Sequence, residues 1–167
     1  MSSREDRLYM DIAARLALQS YSMRHKVGAV IVKDGSIIAE GWNGTPSGWD
    51  NLCEDHILTD DPTEKVKTVT KREVLHAESN ALMKVAKSTQ SSKGATLYTI
   101  LSPCFDCAKL IVQAGIIRVV YREDYRDLSP LDFLSKCDVH CEKLINERNL
   151  FVGRKIQTSD NLGLYSG

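Results

Sequence analysis

The sequence predicts an α/β fold, a three-layer α/β/α sandwich built on a mixed five-stranded sheet. Near the N-terminus, an amphipathic helix pattern precedes two short strands joined by a tight turn, which is the pattern of a β-hairpin. Further along, strand and helix patterns alternate, and that order favours parallel strands joined by right-handed crossovers. The length of 167 residues is typical of a single domain, with a core over about residues 5–144 and a C-terminal tail over about 145–167.

The N-terminal helix is indicated by residues 4–20, where Leu8, Ile12 and Leu16 recur at helical spacing. We expect this apolar face to pack against the sheet. A polar, basic turn follows, in which Arg24 is a candidate phosphate ligand, although most basic residues in such turns are simply solvated.

The hairpin combines a strand over 27–32, rich in β-branched residues, with a second strand over 36–42. The Lys-Asp-Gly-Ser sequence that separates them is a turn signal. A loop over 43–48, Asn-Gly-Thr-Pro-Ser-Gly, follows the second strand. Residues 49–70 are expected to form an irregular polar insertion.

The second half of the chain alternates helices and strands. Helices are predicted over 76–87, 105–114 and 130–136, and strands over 95–101, 117–121 and 138–144. The strands on either side of the second of these helices should be parallel. The last stretch, 145–167, is polar without periodicity, and no chemistry is assigned to it.

Composition argues against several classes of function. The formal net charge is zero, with 22 basic and 22 acidic residues, whereas general nucleic-acid binders usually carry a basic surplus. We therefore expect no nucleic-acid partner and a free small molecule as substrate. The first residues lack the apolar core of a signal peptide, and no apolar run approaches a membrane span. A cytoplasmic protein with no membrane partner is the expectation.

Two of the five cysteines belong to the motif described below. Cys53 and His56 are spaced as a possible pair of ligands for a second metal, but a free thiol and a surface histidine are the more common meaning of so small a set. Cys137 and Cys141 are predicted to be structural thiols.

Two short stretches carry the predicted chemistry: His76-Ala-Glu78 and Pro103-Cys104-Phe-Asp-Cys107. Zn²⁺ favours imidazole nitrogen and thiolate sulfur, and a catalytic zinc keeps three protein ligands with a fourth position open to water. We therefore predict that His76, Cys104 and Cys107 bind Zn²⁺. Zinc lowers the pKa of its water to ~7, which provides a nucleophile for an amidine-like carbon such as C4 of cytosine.

Glu78 is the predicted catalytic residue. It lies two residues after the histidine, and a carboxylate on so short a tether can transfer protons to a ring nitrogen and to departing ammonia. A structural zinc site would usually need a fourth protein ligand and has no use for this spare carboxylate. The combination of His-x-Glu with Pro-Cys-x-x-Cys is also the general signature of zinc nucleobase deaminases.

Both stretches lie at predicted helix starts. One helical pattern begins after His76, and the other runs from Cys107 to Gly115, which is the expected C-cap. A helix N-terminus favours a thiolate over a thiol. Two N-termini that face one ion would make a positively biased site.

With these motifs, the sequence resembles the cytidine deaminase superfamily, and specifically its deoxycytidylate (dCMP) deaminases. The zinc motifs alone indicate only the superfamily. The resemblance extends over about residues 5–144. It lies in the His-Ala-Glu-Ser-Asn-Ala segment that starts at His76, the zinc helix from Ser102 to Ile116, the loop Gly-Trp-Asn-Gly-Thr-Pro-Ser-Gly over 41–48 and the strand Val-Gly-Ala-Val-Ile over 27–31. The Asn-Gly-Thr-Pro part of the loop and the Ala-Lys-Leu-Ile part of the helix narrow it to the dCMP deaminases.

The resemblance implies hydrolytic deamination of dCMP to dUMP and ammonia, which supplies dUMP for thymidylate synthesis. It implies that Asn43 hydrogen-bonds the substrate sugar, and that backbone groups of Ala77 and Ser102 read the pyrimidine edge. It also implies that Tyr125 closes over the ring. The neighbouring Arg126 is our candidate for the 5′-phosphate, because guanidinium binds phosphate in a bidentate manner. A solvated charged loop is the plain alternative for this segment.

Many members of the resembled family are homohexamers that dCTP activates and dTTP inhibits. By resemblance, the effector would contact the loop after the second strand, at Asn43, Gly44, Thr45 and Gly48, and the insertion that follows this loop. A triphosphate effector would bring Mg²⁺ with it. Trp42 stands where the family usually has tyrosine.

Two other functions stay open. The protein could be a deaminase of cytidine, tRNA adenosine or a riboflavin precursor, in which case a free nucleoside would react as well as the monophosphate. It could also be a non-catalytic zinc-binding module, although the spare carboxylate of Glu78 argues against that.

Overall fold

The computed structural model describes residues 4–61 and 63–145. The elements in these ranges are α1 (Arg4–Ala17), β1 (Gly28–Lys33), β2 (Ser36–Trp42), β3 (Glu54–Leu58), β4 (Val66–Thr70), α2 (Ala77–Ala86), β5 (Thr96–Leu101), α3 (Phe105–Gln113), β6 (Arg118–Glu123), α4 (Ser129–Lys136) and β7 (His140–Lys143). The tail predicted over 145–167 lies outside the described residues except for Ile145. Within the described ranges, no helix has the length and apolar character that a membrane crossing requires.

Five strands form one mixed sheet in the order β2-β1-β5-β6-β7. β1 pairs antiparallel with both β2 and β5, whereas the β5–β6 and β6–β7 pairs are parallel. Each parallel pair is connected through a helix, α3 or α4, because parallel neighbours need a crossover connection. The predicted five-stranded mixed sheet is confirmed.

The β1–β2 hairpin turns at Asp34 and Gly35, which have φ values of 49° and 74°. Two consecutive residues with positive φ are typical of the tight hairpin turn whose twist matches its flanking strands. The hydroxyl of Tyr9 in α1 donates a 2.7 Å hydrogen bond to the carbonyl oxygen of Gly35. The first helix is therefore tied directly to the hairpin.

Two glycines show that α1 and α2 cover opposite faces of the sheet. A Cβ added to Gly28 in β1 would lie 2.1 Å from the carbonyl oxygen of Ala13 in α1. A Cβ added to Gly41 in β2 would lie 2.3 Å from the carbonyl oxygen of Ala77 in α2. Gly41 pairs with Ala29, and neighbours along a strand point to opposite faces. α3 packs beside α2 and α4 beside α3, so the predicted three layers are confirmed.

The buried face of α1 differs from the predicted one. Leu8 is 54% exposed, so its predicted packing against the sheet was wrong, whereas Ile12 and Leu16 are partly buried against the core. The small side chains of alanine let the helix backbone approach β1 closely, and the contact face follows them. The residues of this face are Asp6, Tyr9, Met10, Ala13 and Ala17.

An ionic cluster joins α1 to strands β6 and β7 of the sheet. The Arg118 guanidinium donates to both carboxylate oxygens of Asp6, at 2.8 and 3.0 Å, and to Glu142 at 2.7 Å. The Tyr98 hydroxyl donates to the same Asp6 carboxylate at 2.8 Å. A buried carboxylate is tolerated because a cation and hydrogen bonds compensate its lost hydration.

The insertion over 49–70 is not irregular throughout, and that prediction was wrong. β3 and β4 form an antiparallel hairpin in which Glu54 pairs with Thr70. β4 is rich in β-branched residues, which favour extended backbone. The many charges of the segment conceal this signal in the sequence.

Candidate active site

Two helix starts position the metal-ligating side chains. His76 is the N-cap of α2 and Cys104 is the N-cap of α3, each with extended backbone at ψ values of 155° and 170°. Neither side chain caps its own helix, so both remain available for another partner. Cys107 follows in the first turn of α3.

The three ligand atoms lie close together. The Nδ1 of His76 is 3.3 Å from the Sγ of Cys104 and 3.4 Å from the Sγ of Cys107. In a tetrahedral zinc site, ordinary Zn–N and Zn–S bonds place such atoms roughly 3.5 Å apart. The set therefore fits a zinc ion with one coordination position left open. Within the described ranges, no other group of three His, Cys, Asp or Glu residues comes together in this way.

The two thiols differ in acidity. Hydrogen bonding from Cys107, together with His76, lowers the pKa of Cys104 to about 4. Hydrogen bonding to Cys104 and burial raise the pKa of Cys107. Cys104 thus carries the one negative charge of the two thiols at neutral pH. A divalent cation bound to both sulfur atoms would also stabilise a thiolate at Cys107.

Glu78 lies in the first turn of α2, and only 4% of it is exposed. Burial raises the pKa of its carboxyl group to about 7, and its own backbone N–H and the charge of His76 oppose this rise. Glu78 lines the same cavity as His76 and Cys104. A carboxyl group with such a pKa exchanges protons readily at neutral pH, which suits general acid–base catalysis.

The site opens on a cavity of about 800 Å³. Its walls include all of the residues predicted to bind substrate, which are Asn43, Ala77, Ser102, Tyr125 and Arg126. The fold thus brings the residues just after β2 and β5, the start of α2 and the loop after β6 to one place.

Asn43 and Ser102 also make hydrogen bonds that hold the cavity wall. The Asn43 side chain accepts from the N–H of Val27 and donates to the carbonyl oxygen of His25, both at 2.8 Å. One N–H and one lone pair of the amide remain for a ligand. The Ser102 hydroxyl oxygen accepts the N–H of Tyr125 at 2.8 Å, which fixes the loop that carries the tyrosine.

Sequence reasoning missed part of the wall. His25, Lys71, Arg72 and Phe105 also line the cavity. Lys71 and Arg72 follow β4 directly, and their basic character was the one available signal. Phe105 lies inside the Cys-x-x-Cys motif, where the sequence gives no reason to prefer a function over packing.

Of the loop predicted to contact an effector, Asn43 lines this cavity and the rest lies outside it. Gly44, Thr45 and Gly48 are not part of the cavity wall. The backbone of Gly44 exchanges two hydrogen bonds with Leu75, at 3.1 and 2.9 Å. The loop is therefore joined to the residue directly before His76.

Cys53 and His56 do not form a ligand pair. Cys53 is buried with its Sγ 3.8 Å from the carbonyl oxygen of Asn51, and His56 is exposed and contacts the Thr68 hydroxyl at 3.1 Å. Cys53 lies just before β3 and His56 within it, and the two side chains have different surroundings. A free thiol at Cys53 and a surface histidine at His56 is therefore a better interpretation than a second metal site.

Comparison with known proteins agrees with this geometry. Residues 3–123 match the family model described as the cytidine and deoxycytidylate deaminase zinc-binding region. The chain is 35% identical over 152 residues to the deoxycytidylate deaminase of Enterobacteria phage T4, covering 72% of this chain and 79% of that protein. It is 40% identical over 122 residues to the deoxycytidylate deaminase of Homo sapiens, covering 71% of this chain and 65% of that protein.

A solved structure of a dCMP deaminase also matches the fold of this chain. The dCMP deaminase of the cyanophage S-TIM5, in complex with dCMP and dUMP, matches with a TM-score of 0.75 and 44% identity, covering 86% of this chain and 99% of that one. Fold and metal-ligand set thus define a zinc-site hydrolase of the deaminase class. The chain belongs to the family of zinc-binding cytidine and deoxycytidylate deaminases, and it is an enzyme.

Proposed function

We propose that this enzyme converts dCMP and water to dUMP and ammonia, and so supplies dUMP for thymidylate synthesis. The observation that carries the proposal is a His-Cys-Cys set at one cavity, which His76, Cys104, the buried residue Glu78 and a cation-rich wall line together. That wall includes Arg24, Arg72 and Arg126, and guanidinium groups match phosphate in shape and charge. The names of the phage T4 and human relatives support the same substrate.

In this proposal, His76, Cys104 and Cys107 hold the zinc ion. Zinc supplies Lewis-acid activation of water at neutral pH. Glu78 accepts one proton from the attacking water and delivers it to N3 of the pyrimidine. It then accepts the second proton, from the hydroxyl formed on C4, and delivers it to the amine that leaves C4 as ammonia. Its first-turn position in α2 keeps the carboxyl group next to the metal ligands during both transfers.

The remaining wall orients the nucleotide. Backbone groups of Ala77 and Ser102 hydrogen-bond the pyrimidine edge, and the remaining amide N–H of Asn43 binds the sugar. Tyr125 covers the ring. Arg126, whose Cζ lies 5.4 Å from the Tyr125 ring centroid, binds the 5′-phosphate on the same side. These contacts hold C4 near the metal position and exclude bulk water.

The test measures ammonia release from dCMP, deoxycytidine, cytidine and dCTP by zinc-loaded protein. We expect dCMP to be the preferred substrate and dUMP to form in equal amount to ammonia. Equal turnover of deoxycytidine would keep the deaminase chemistry and refute the phosphate contact. Turnover of none of the four would refute the proposed substrate and direct the search to tRNA adenosine or a riboflavin precursor.

We also propose that dCTP activates and dTTP inhibits the enzyme, with Mg²⁺ bound to the triphosphate, and that the active form is a homohexamer. The backbone bridge between Gly44 and Leu75 supports the regulation, because a ligand on the loop would act on His76 through one residue. Rates measured with each effector, and the mass in solution by light scattering, test the two statements. Unchanged rates and sigmoidality would refute the regulation, and a monomeric active species would refute the hexamer.

A further inference from the structure

A buried carboxylate on the insertion hairpin has no part in the chemistry described above. Glu54, the first residue of β3, is 8% exposed. Its Oε1 accepts hydrogen bonds from the Ser22 hydroxyl at 2.6 Å, the Met23 N–H at 3.1 Å and the Arg24 N–H at 3.3 Å. A buried carboxylate is costly unless it is hydrogen-bonded, and here all three donors come from one short loop.

That loop forms part of the cavity wall. Ser22, Arg24 and His25 line the cavity. The Arg24 guanidinium donates a 3.3 Å hydrogen bond to the Thr70 hydroxyl in β4, and Thr70 is the residue paired with Glu54. The insertion hairpin therefore holds the loop at two points. Glu54 of β3 binds the Ser22 hydroxyl and the loop backbone, and Thr70 of β4 binds the Arg24 side chain.

The hairpin side of the cavity is the more basic one. Lys67 in β4, and Lys71 and Arg72 just after it, line the wall near Arg24. Around Arg126 the wall also contains Asp124 and Asp127. On the hairpin side Lys71 lies 3.7 Å from Asp55, but four cations line that part of the wall against the one arginine at Arg126. A phosphate dianion is therefore drawn toward the hairpin side.

We propose that Glu54 is a positioning residue that fixes Arg24 for contact with the 5′-phosphate, so that the β3–β4 hairpin selects a nucleotide over a nucleoside. Glu54 acts through Arg24 and touches no substrate atom. A loop already held in its binding conformation loses less conformational freedom when the phosphate binds. The inference rests on the proposed function for the identity of the substrate, and it adds a second phosphate contact to that of Arg126.

The test compares Glu54→Gln with the control Glu64→Gln. Glutamine keeps the size of the side chain but removes the charge that the Ser22, Met23 and Arg24 donors share. Glu64 is an exposed residue of the same hairpin segment, so its substitution changes the net charge equally. We expect Glu54→Gln to raise KM for dCMP about tenfold at unchanged kcat, with no change for deoxycytidine. Glu64→Gln should leave both substrates unaffected.

Arg24→Gln should lower the preference for dCMP over deoxycytidine to a similar degree, and the double variant should lose little more, because both substitutions remove one interaction. Ser22→Ala removes a single hydrogen bond of the set and should cause a smaller shift in the same direction. It serves as the second variant if Glu54→Gln does not fold. An unchanged preference in these variants, or equal losses of kcat on both substrates, would overturn the positioning role.

Binding of inorganic phosphate, measured by calorimetry, separates this inference from the proposed function. We expect weaker phosphate binding in Glu54→Gln than in the wild type, whichever nucleobase the enzyme accepts. A wild type inactive on dCMP would refute the proposed function, and the phosphate measurement would still decide the role of Glu54. Equal phosphate affinity in the two proteins would refute that role even if dCMP is the substrate.

Discussion

Replacing Gly41 with alanine should impair catalysis more than its effect on stability suggests. The new Cβ would lie 2.3 Å from the carbonyl oxygen of Ala77 and 2.6 Å from the backbone nitrogen of Ala81. Both are backbone atoms of α2, so no side-chain rotation relieves the clash, and the first separation must open to at least 3.0 Å. Because His76 and Glu78 lie at this end of α2, they must move with it.

The size of the effect follows from that displacement. A misplacement on the order of 1 Å in a catalytic constellation costs roughly 10²-fold in rate, while overpacking lowers the free energy of unfolding by about 1–3 kcal/mol. Gly28→Ala is a matched control, because its Cβ would lie 2.1 Å from the carbonyl oxygen of Ala13. That clash is as severe, but it displaces α1 on the opposite face of the sheet.

The assay measures kcat on dCMP, zinc content and denaturant unfolding for both variants at a temperature where both are folded. We expect similar losses in the free energy of unfolding, with the roughly 10²-fold loss of kcat confined to Gly41→Ala. Equal losses of kcat in the two variants would refute the argument that β2 sets the position of the catalytic helix.

Three further variants test other parts of the molecule. Cys104→Ser should lower zinc content, because serine does not offer a thiolate. The control Cys137→Ser should retain full zinc content. Full zinc content in Cys104→Ser would contradict the proposed set of metal ligands. Arg118→Met should lower the free energy of unfolding by about 3 kcal/mol, because the buried Asp6 carboxylate loses its counter-charge, and denaturant curves that coincide with the wild type would contradict this. Tyr125→Ala should raise KM for dCMP about tenfold, as expected for a lost stacking contact, at unchanged zinc content, and an unchanged KM would remove it from the substrate site.

Sequence patterns predict the main sheet because its signals are local. The hairpin turn needs positive φ at two residues, and Asp34-Gly35 supplies residue types that tolerate it. The metal set is predictable for a different reason. His76 and the Cys-x-x-Cys motif are far apart in the chain, but only a shared metal ion gives all of these residue types a purpose, and both start helices that meet beside the sheet.

Other features depend on contacts that no local pattern contains. Glu54 looks like an ordinary exposed acid in a charged segment, and its burial follows from loop N–H groups about 30 positions away in the chain. The Asp6–Arg118 pair likewise joins the first helix to β6, the second-to-last described strand. Leu8 fits a helical apolar pattern, but the close approach of α1 at Ala13 rotates the contact face away from it.

The most direct test of the central claim measures dUMP and ammonia formation from dCMP by zinc-loaded wild type and by Glu78→Gln. Glutamine preserves the shape of the side chain and leaves the three metal ligands in place, but it cannot accept or deliver the protons. We predict equal zinc content in the two proteins, equimolar dUMP and ammonia from the wild type, and turnover in the variant lower by roughly 10²–10⁴-fold. Unimpaired turnover in the variant, or no dUMP from the zinc-loaded wild type, would contradict the account.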